Sequence, residues 1–505
     1  MDHATKSTAP KSTAPQQAPP NVPGRRLSRW QRRWRWRWHL IGAASALALL
    51  ALLLFPSAVF FPSHRVSATD GHATNDHATA PALETCAWRA LEPHVSLLHV
   101  PAIRRSDFLR RQGVLASALR AAGIDAFVAE PSASSAYYAN ISAQFSLSER
   151  PYLMILDGDA RFSYLVPQFE TGRLNPASQH MVIEGDPAAA AIPWREELSP
   201  YAVLVESGRL GKDRGEGKGK AKAKAKAKAK ARVMIDEHAR HMIAAGLQAA
   251  GVDVVPMSDS VKQHRAVKAD AEVAILKGIN GFTRQVTRAL QGCLRLGVTQ
   301  EDVVAAGRAL FTRAGVGEGY WAIALFGSQA AYPHGGKTGA VLRDGEFVLL
   351  DIGSKLHGYG SDVTRTMLPP GVAASEELMG VWQTVRRAQT AALEKMRPNE
   401  LCRHVDAASR GPVREQSYGP YYTHRLGHGL GLEVHEHPYL NGANSEKLKA
   451  GEVATNEPGI YVTDEQAMQL GKSSGFGVRL EDPILVTDDG GVPLTGRRAE
   501  SPWDL

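Results

Sequence analysis

The sequence predicts an α+β C-terminal domain built of two similar halves, an α/β domain before it, and a transmembrane helix near the N-terminus. Three observations carry this reading. From about residue 267, helical periodicity gives way to strand-like runs, and then does so a second time. Residues 96–207 mix an amphipathic helix pattern, SDFLRRQGVLASALRAAGI, with short apolar runs such as YLMIL and FSYLV. Residues 40–61, LIGAASALALLALLLFPSAVFF, hold no charge at all.

That apolar run can cross about 30 Å of hydrocarbon as a helix. Seven arginines between positions 25 and 37 favour a cytoplasmic N-terminus, and Trp30, Trp34, Trp36 and Trp38 suit an interfacial belt. A cleaved leader is the competitor, but 39 residues before the apolar run is long for one. The reading is a single-pass type II protein with its bulk lumenal or extracellular, or a secreted form if the anchor is cut. Residues 1–39 form a basic tail, 40–61 the anchor and 62–95 a polar stalk. Asn140-Ile141-Ser142 is then a glycosylation sequon.

The net charge of +8 is misleading. Residues 1–38 contribute +8 and residues 209–232 contribute +9, which leaves −9 for everything else. An acidic folded part argues against nucleic acid as a partner. Cys86, Cys293 and Cys402 form no motif. One disulfide would suit an oxidising compartment, but the reading taken is three small buried apolar residues.

The α/β domain spans 96–262 and is interrupted at 209–232, where seven lysines occupy every second position from 218 to 230. These repel one another and offer no core residue, so the segment reads as a disordered surface insertion. The C-terminal domain spans 267–487. DAEVAILKGINGFTRQVTRALQGCL and TQEDVVAAGRALFTRAG are helical, with Thr299 and Asp302 placed as a capping box, and strands follow to Met367. SEELMGVWQTVRRAQTAALEKM is helical again, with strands to about Val486 and a tail at 488–505.

The chemistry lies in those strands. In EFVLLDIGSKLHGYGSDVTRTM, Asp351 ends one strand of a hairpin and Asp362 begins the next, close enough in register to bring two carboxylates together. ATNEPGIYV puts Glu457 at a strand end, and GVRLEDPILV puts Glu481 in a strand pattern near Arg479. HRLGHGLGLEVHEHP packs four of the chain's 18 histidines into one stretch. Glycines 427, 429 and 431 argue against a helical zinc motif and permit close backbone approach at His428, and HGLGLEV alternates as a strand does. His424 reads as a surface residue and His437 as peripheral. Four converging carboxylates would raise one another's pKa, and two divalent cations would cancel that charge. Oxygen ligands with one imidazole suit Mn²⁺, with Zn²⁺ and Co²⁺ also accommodated.

AYPHGG, LLDIGSKLHGYGSDVTRT, HRLGHGLGLEVHEHP, NEPGIY and GVRLED, in that order over 334–482, resemble the signature of the pita-bread metallopeptidases of family M24. The branch of X-Pro aminopeptidase and prolidase fits best, and 96–262 resembles its creatinase/prolidase-like N-terminal domain more weakly. The resemblance implies Asp351, Asp362, His428, Glu457 and Glu481 as ligands of a dinuclear centre. His334 and His435 match the histidines that hold substrate and stabilise the tetrahedral intermediate. Arg479 matches an arginine beside the ligand glutamate, and Tyr461 either polarises substrate or is a packed aromatic. The implied reaction is hydrolysis of peptides with proline at the second position, releasing the N-terminal residue, with Glu457 as proton shuttle; an extended peptide site also suits a homodimer. The rival within the class is a prolidase, a strict dipeptidase. The segment NGANSEKLKAGEVATNEPG carries Lys447 and Lys449 but no arginine to grip a substrate carboxylate, which disfavours it. A non-peptidase scaffold is disfavoured because all five ligand positions are intact. On this reading, deleting 212–232 should leave peptide hydrolysis unchanged, as a steady-state assay of both proteins would show; an equal loss of activity would make the Lys-Ala repeat a functional element.

Overall fold

The computed structural model describes residues 79–141, 148–174, 190–210, 230–336 and 339–504. The basic tail, the apolar run 40–61 and most of the Lys-Ala insertion lie outside the described residues. Among the described residues, no helix is long and apolar enough to cross a membrane.

From Ala80 the chain does not behave as a stalk. Helix α1 (Ala80–Leu91) buries Leu83, Ala87, Trp88 and Leu91, a stripe at helical spacing, and a 3₁₀ segment, Glu92–Leu98, follows it. The stripe packs on the long helix Asp270–Cys293 and on its neighbour Gln300–Arg313. Cys86 on this helix is disulfide-bonded to Cys293, with 6.0 Å between the Cα atoms. This corrects the stalk reading over 80–95, while 62–78 lie outside the described residues, and it corrects the reading of the three cysteines as merely small buried apolar residues; only Cys402 is a free, buried thiol. A helix of 12 residues directly after the polar run 62–79 is easily read as part of that run, and two cysteines 207 positions apart carry no local signal.

The next domain is a six-stranded sheet with helices on both faces. Helix α2 (Arg105–Ala121) leads into β1 (Ala126–Ala129), α3 (Ala133–Ala139), β2 (Leu153–Asp157), β3 (Phe162–Pro167) and β4 (Ala191–Trp194). Then come α4 (Pro200–Glu206), β5 (Arg232–Ile235), α5 (His241–Ala249), β6 (Asp253–Pro256) and α6 (Asp259–Ala266). The strand order is β4-β3-β2-β1-β5-β6, antiparallel at β1/β2 and β2/β3 and parallel elsewhere. Phe127 and Ala129 face one core with Leu115 and Leu119 of α2, while Ala126 and Val128 face another with Leu204, Ile243 and Leu247. Burial on both faces explains why β1 to β3 read as apolar runs rather than alternating ones.

In the C-terminal domain, helices precede strands twice. Helices α7 (Asp270–Cys293) and α8 (Gln300–Arg313) come first. The capping box forms as the sequence suggests: the Asp302 N–H donates to Thr299 Oγ1 at 3.1 Å and the Thr299 N–H to Asp302 Oδ2 at 3.3 Å. Strands β7 (Trp321–Phe326), β8 (Val348–Gly353), β9 (Lys355–Leu356), β10 (Tyr359–Gly360) and β11 (Val363–Met367) follow, with β11-β8-β7 as one antiparallel sheet. The second half opens with α9 (Glu376–Leu393) and α10 (Cys402–Glu415). It continues with β12 (Gly427–Gly429), β13 (Glu436–Leu440), β14 (Val453–Asn456), β15 (Gly459–Val462) and α11 (Asp464–Gln469). It closes with β16 (Phe476–Arg479), β17 (Asp482–Thr487) and β18 (Gly490–Pro493). Here the sheet order is β13-β12-β14-β17-β18, with β15 and β16 as a separate ribbon.

Residues 488–504, read from sequence as a tail, are held against the domain as a strap. β18 pairs with β17, the Pro502 carbonyl accepts from Leu368 N–H (2.9 Å) and Gln291 Nε2 (2.7 Å), and Leu494 and Ala499 are buried. Breaking the covalent clamp with Cys86→Ser or Cys293→Ser should cost about 2–5 kcal/mol by freeing a very long loop in the unfolded chain. A lower denaturation midpoint under non-reducing conditions checks this; an unchanged midpoint would mean that the two sulfurs are not joined in solution.

Candidate metal centre

Asp351 lies within β8 directly opposite Thr364 of β11. Asp362 precedes β11, two residues from Thr364, so both carboxylates share one face of the hairpin. The Asp362 N–H donates to Asn280 Oδ1 of α7 at 3.0 Å, which fixes the backbone at this point. In the second half, β14 and β17 pair with Asn456 opposite Asp482. Continuing that register by one residue sets Glu457 opposite Glu481. Glu481 therefore sits at the junction of β16 and β17, not inside a strand.

His428 is the centre of β12, and its two glycines have a steric cause. A Cβ at Gly427 would fall 1.9 Å from the Thr455 carbonyl oxygen, and one at Gly429 2.1 Å from that of His437. The strand fits between its neighbours only without side chains there. Strand geometry ends at Gly429, where the pairing shifts register, so HGLGLEV is not a continuous strand. The chain turns instead through Gly431, whose N–H meets the Glu433 carbonyl at 3.0 Å. His428 Nδ1 lies 3.2 Å from the Gly429 carbonyl, which leaves Nε2 facing Glu457 Oε1 at 3.2 Å and Asp362 Oδ2 at 3.6 Å.

Asp362, His428 and Glu481 each place one donor atom within 4.8 Å of the others. Asp351 is bound by Arg479 Nη2 at 2.5 Å. Arg479 Nε donates to Thr364 Oγ1 at 3.1 Å, and that hydroxyl donates to Glu481 Oε2 at 2.5 Å. One buried arginine and one threonine thus brace acids of both halves. Two buried carboxylate oxygens, Asp351 Oδ1 and Glu481 Oε1, have no hydrogen-bond partner. Burial, then the charges of Asp351 and Glu457, lift Asp362 well above the usual carboxylate range. Burial, then Asp362 and Glu457, do the same to Glu481. Glu457 moves the other way: burial pushes it up, but the hydrogen bond and charge of His428 outweigh this. Unpartnered buried oxygens, mutually repelling acids and an imidazole nitrogen turned among them fit a divalent cation site.

The remaining expected residues rim this centre. The His435 ring stands edge-to-face with His428, 4.1 Å between centroids, and desolvation followed by the charge of His428 pushes it down to about 4. His334 is exposed and lines, with Gly335, Gly336, Ile323 of β7 and one face of α8, a cavity of about 1020 Å³. Tyr461 is buried, and its hydroxyl accepts from Arg479 Nη1 at 3.0 Å. His424 is not the surface residue expected from sequence: it is half-buried, with Nδ1 donating to the Arg425 carbonyl at 2.6 Å and Nε2 accepting from the Tyr461 hydroxyl at 2.8 Å. Burial holds it below its ordinary pKa, consistent with the neutral ring these contacts require. Thr364 and His424 were not picked out from sequence, although the motif residues flanking each were the available signal.

The turn that carries His435 is anchored from the other domain. Glu436 is buried and accepts from Lys268 Nζ at 2.6 Å and Arg265 Nη2 at 2.9 Å. Arg265 belongs to α6 and also pairs with Glu433. Despite burial, Lys268 and Arg265 hold Glu436 below its ordinary pKa. His437 turns away from the centre toward Glu237, 3.9 Å distant.

Residues 274–488 match the model of metallopeptidase family M24. An uncharacterized peptidase of Schizosaccharomyces pombe is 37% identical over 431 residues, covering 81% of this chain and 87% of the relative. Among solved structures, dipeptidase PepE from Mycobacterium ulcerans is similar with a TM-score of 0.66 at 26% identity, covering 79% of this chain and 98% of that one. A prolidase from Thermococcus sibiricus is similar with a TM-score of 0.63 at 25% identity, covering 78% and 98%.

The raised acids give a pH signature. In the cation-free protein, folded Asp362 and Glu481 keep protons that the unfolded chain releases above about pH 4. Stability should therefore fall as pH rises through the window from there to their raised folded values. Because His435 and His424, held below their ordinary pKa, add stability over part of the same range, the diagnostic is the cation-dependent gain: divalent cation should raise the melting temperature more at pH 8 than at pH 6. Thermal denaturation with and without cation tests this, and a cation-dependent gain no larger at pH 8 than at pH 6 would refute the assignment.

Proposed function

Because this chain belongs to metallopeptidase family M24, we propose that it hydrolyses peptides at the bond preceding proline and releases the N-terminal residue. The observation that carries this reading is the convergence of Asp351, Asp362, His428, Glu457 and Glu481, from both halves of the domain, at one buried point. These five would hold two divalent cations, with Mn²⁺ our choice over Zn²⁺ or Co²⁺. When bound, such ions act as Lewis acids and make water nucleophilic near neutral pH.

The chain's own groups supply the rest. Glu457, held below the usual carboxylate range, stays ionised and can take a proton from the attacking water. It would deliver that proton to the leaving nitrogen, which in a prolyl peptide carries no hydrogen of its own. His435, neutral near pH 7, and His334 can each offer an N–H to the oxyanion that develops. Arg479 keeps Asp351 and Glu481 in place through its own contact and through Thr364, and with His424 it fixes the Tyr461 hydroxyl at the edge of the site.

The cavity of about 1020 Å³ that His334 shares with β7 and α8 leaves room beside this histidine for more than a dipeptide, although none of the five candidate ligands lines it. A specific contact favours the dipeptidase as a second reading. Arg425 stacks on Tyr439, 4.8 Å from the ring centroid, and its charge helps depress His435. An arginine so close to the site could grip a dipeptide's carboxylate. A lumenal or extracellular location behind an uncleaved N-terminal anchor belongs to the same proposal, and the Cys86–Cys293 bond supports an oxidising compartment. A homodimer closing the peptide site is also part of it.

The test strips the protein with chelator and restores Mn²⁺, Zn²⁺ or Co²⁺ separately. An Xaa-Pro dipeptide is then assayed beside an Xaa-Pro tripeptide. Cation-dependent cleavage of the tripeptide, lowered at least about 1000-fold by Asp351→Asn, is the expected result. Cleavage of the dipeptide alone would establish the second reading, and no cleavage by a folded, cation-loaded protein would remove both.

A further inference from the structure

On the outer side of α9, away from the peptide site, three guanidinium groups gather with no carboxylate in ion-pair contact, although Glu394, Glu500 and Asp482 act on them from farther off. Arg386, Arg387 and Arg498 line a cavity of about 550 Å³ together with Thr390, Glu394 and Glu500. Arg386 Nη1 donates to Thr390 Oγ1 at 2.9 Å, and Arg498 Nη1 approaches the same oxygen at 3.3 Å. Two half-buried positive groups are thus held against one hydroxyl. Arg386 is fixed further by the Ala499 carbonyl at 2.5 Å, and Arg387 stands at the rim against Thr384 Oγ1 at 3.4 Å. Among the described residues, none of the three has a carboxylate oxygen within 4.0 Å. Glu500 turns to Arg497, 2.8 Å away. Counting both glutamates, the pocket still carries an excess positive charge.

Three guanidinium groups against two glutamates leave one positive charge that an anion would offset. Burial, then the charge of Arg386, push Arg498 down to about 10, and Asp482 and Glu394 offset this only in part. Two converging guanidinium forks and a third at the rim match the several acceptor oxygens of a tetrahedral oxyanion. We propose that Arg386, Arg387 and Arg498 form a binding site for a phosphate-type oxyanion, inorganic phosphate or a phosphate monoester. The site is distinct from the peptide site, yet one side chain connects them. Arg498 Nη1 also donates to Gln389 Oε1 at 3.3 Å. Gln389 Nε2 in turn donates to Asp482 Oδ2 at 2.9 Å and to the carbonyls of Leu480 at 3.3 Å and Asn456 at 3.4 Å. These are the chain neighbours of Glu481 and Glu457.

The experiment titrates inorganic phosphate into the full, cation-loaded chain by calorimetry, at ionic strength fixed with sodium chloride. Phosphate that reaches the metal centre is common to every variant, so the difference between variants isolates the arginine pocket. Wild type should take up one phosphate more than Arg498→Gln or Arg386→Gln, each checked for folding by circular dichroism. Arg387→Ala, a change at an exposed residue, should weaken that extra site at least about threefold. Identical stoichiometry and affinity in wild type and in the folded variants would overturn the proposal. If the two glutamine variants do not fold, unchanged binding by Arg387→Ala overturns it alone.

Discussion

The constraint on which the catalytic half depends is electrostatic: four carboxylates must be kept side by side where water cannot screen them. Each is delivered by a strand or strand end, so their mutual distances are set by β-sheet register rather than by mobile loops. What resists the repulsion is also buried. Arg479 joins Asp351 to Thr364 and hence to Glu481. Arg365, fully buried, pairs with Asp482 at 2.7 Å and donates to the Glu481 carbonyl at 2.5 Å. These arginines leave two carboxylate oxygens without partners, and those are the atoms a cation would satisfy.

The domain before the catalytic half is tied to it by charges as well as by apolar packing. At one seam, Arg111 of α2 meets Glu272 of α7 at 3.2 Å, and the Tyr359 hydroxyl donates to the same carboxylate at 2.9 Å. At the other, Arg265 and Lys268 reach Glu436 beside His435. A buried ion pair brings little net stability once desolvation is counted, but losing one partner is costly because the other stays buried and charged. The second seam therefore acts on geometry: it orients the turn that presents His435 while offering nothing to substrate itself.

How much of this was legible in the sequence follows from how local each signal is. Asp351, Asp362, His428, Glu457 and Glu481 sit in short motifs whose glycines and strand patterns announce close backbone approach, and the structure brings all five to one region. The two-fold alternation of helices and strands was visible because periodicity is a local property. Contacts made at long range were not. His424 reads as an exposed histidine until Tyr461, 37 residues on, is folded against it. Arg265 and Lys268 lie in a charged linker, and only the packing of α6 against β13 turns them into ligands of Glu436. Likewise, the apolar stripe of α1 is local, and nothing in it announces that its partner is the helix that starts at Asp270.

The disulfide has a further consequence for the chain as a whole. Cys86 and Cys293 bracket the whole α/β domain, including the run of lysines between 218 and 230. A trypsin-like enzyme cutting within that run would make two polypeptides, one holding Cys86 and the other holding Cys293 and every candidate metal ligand. Neither could diffuse away, because the sulfur bridge would still join them. Processing at this point would yield a covalent two-chain molecule whose apparent mass changes only when it is reduced.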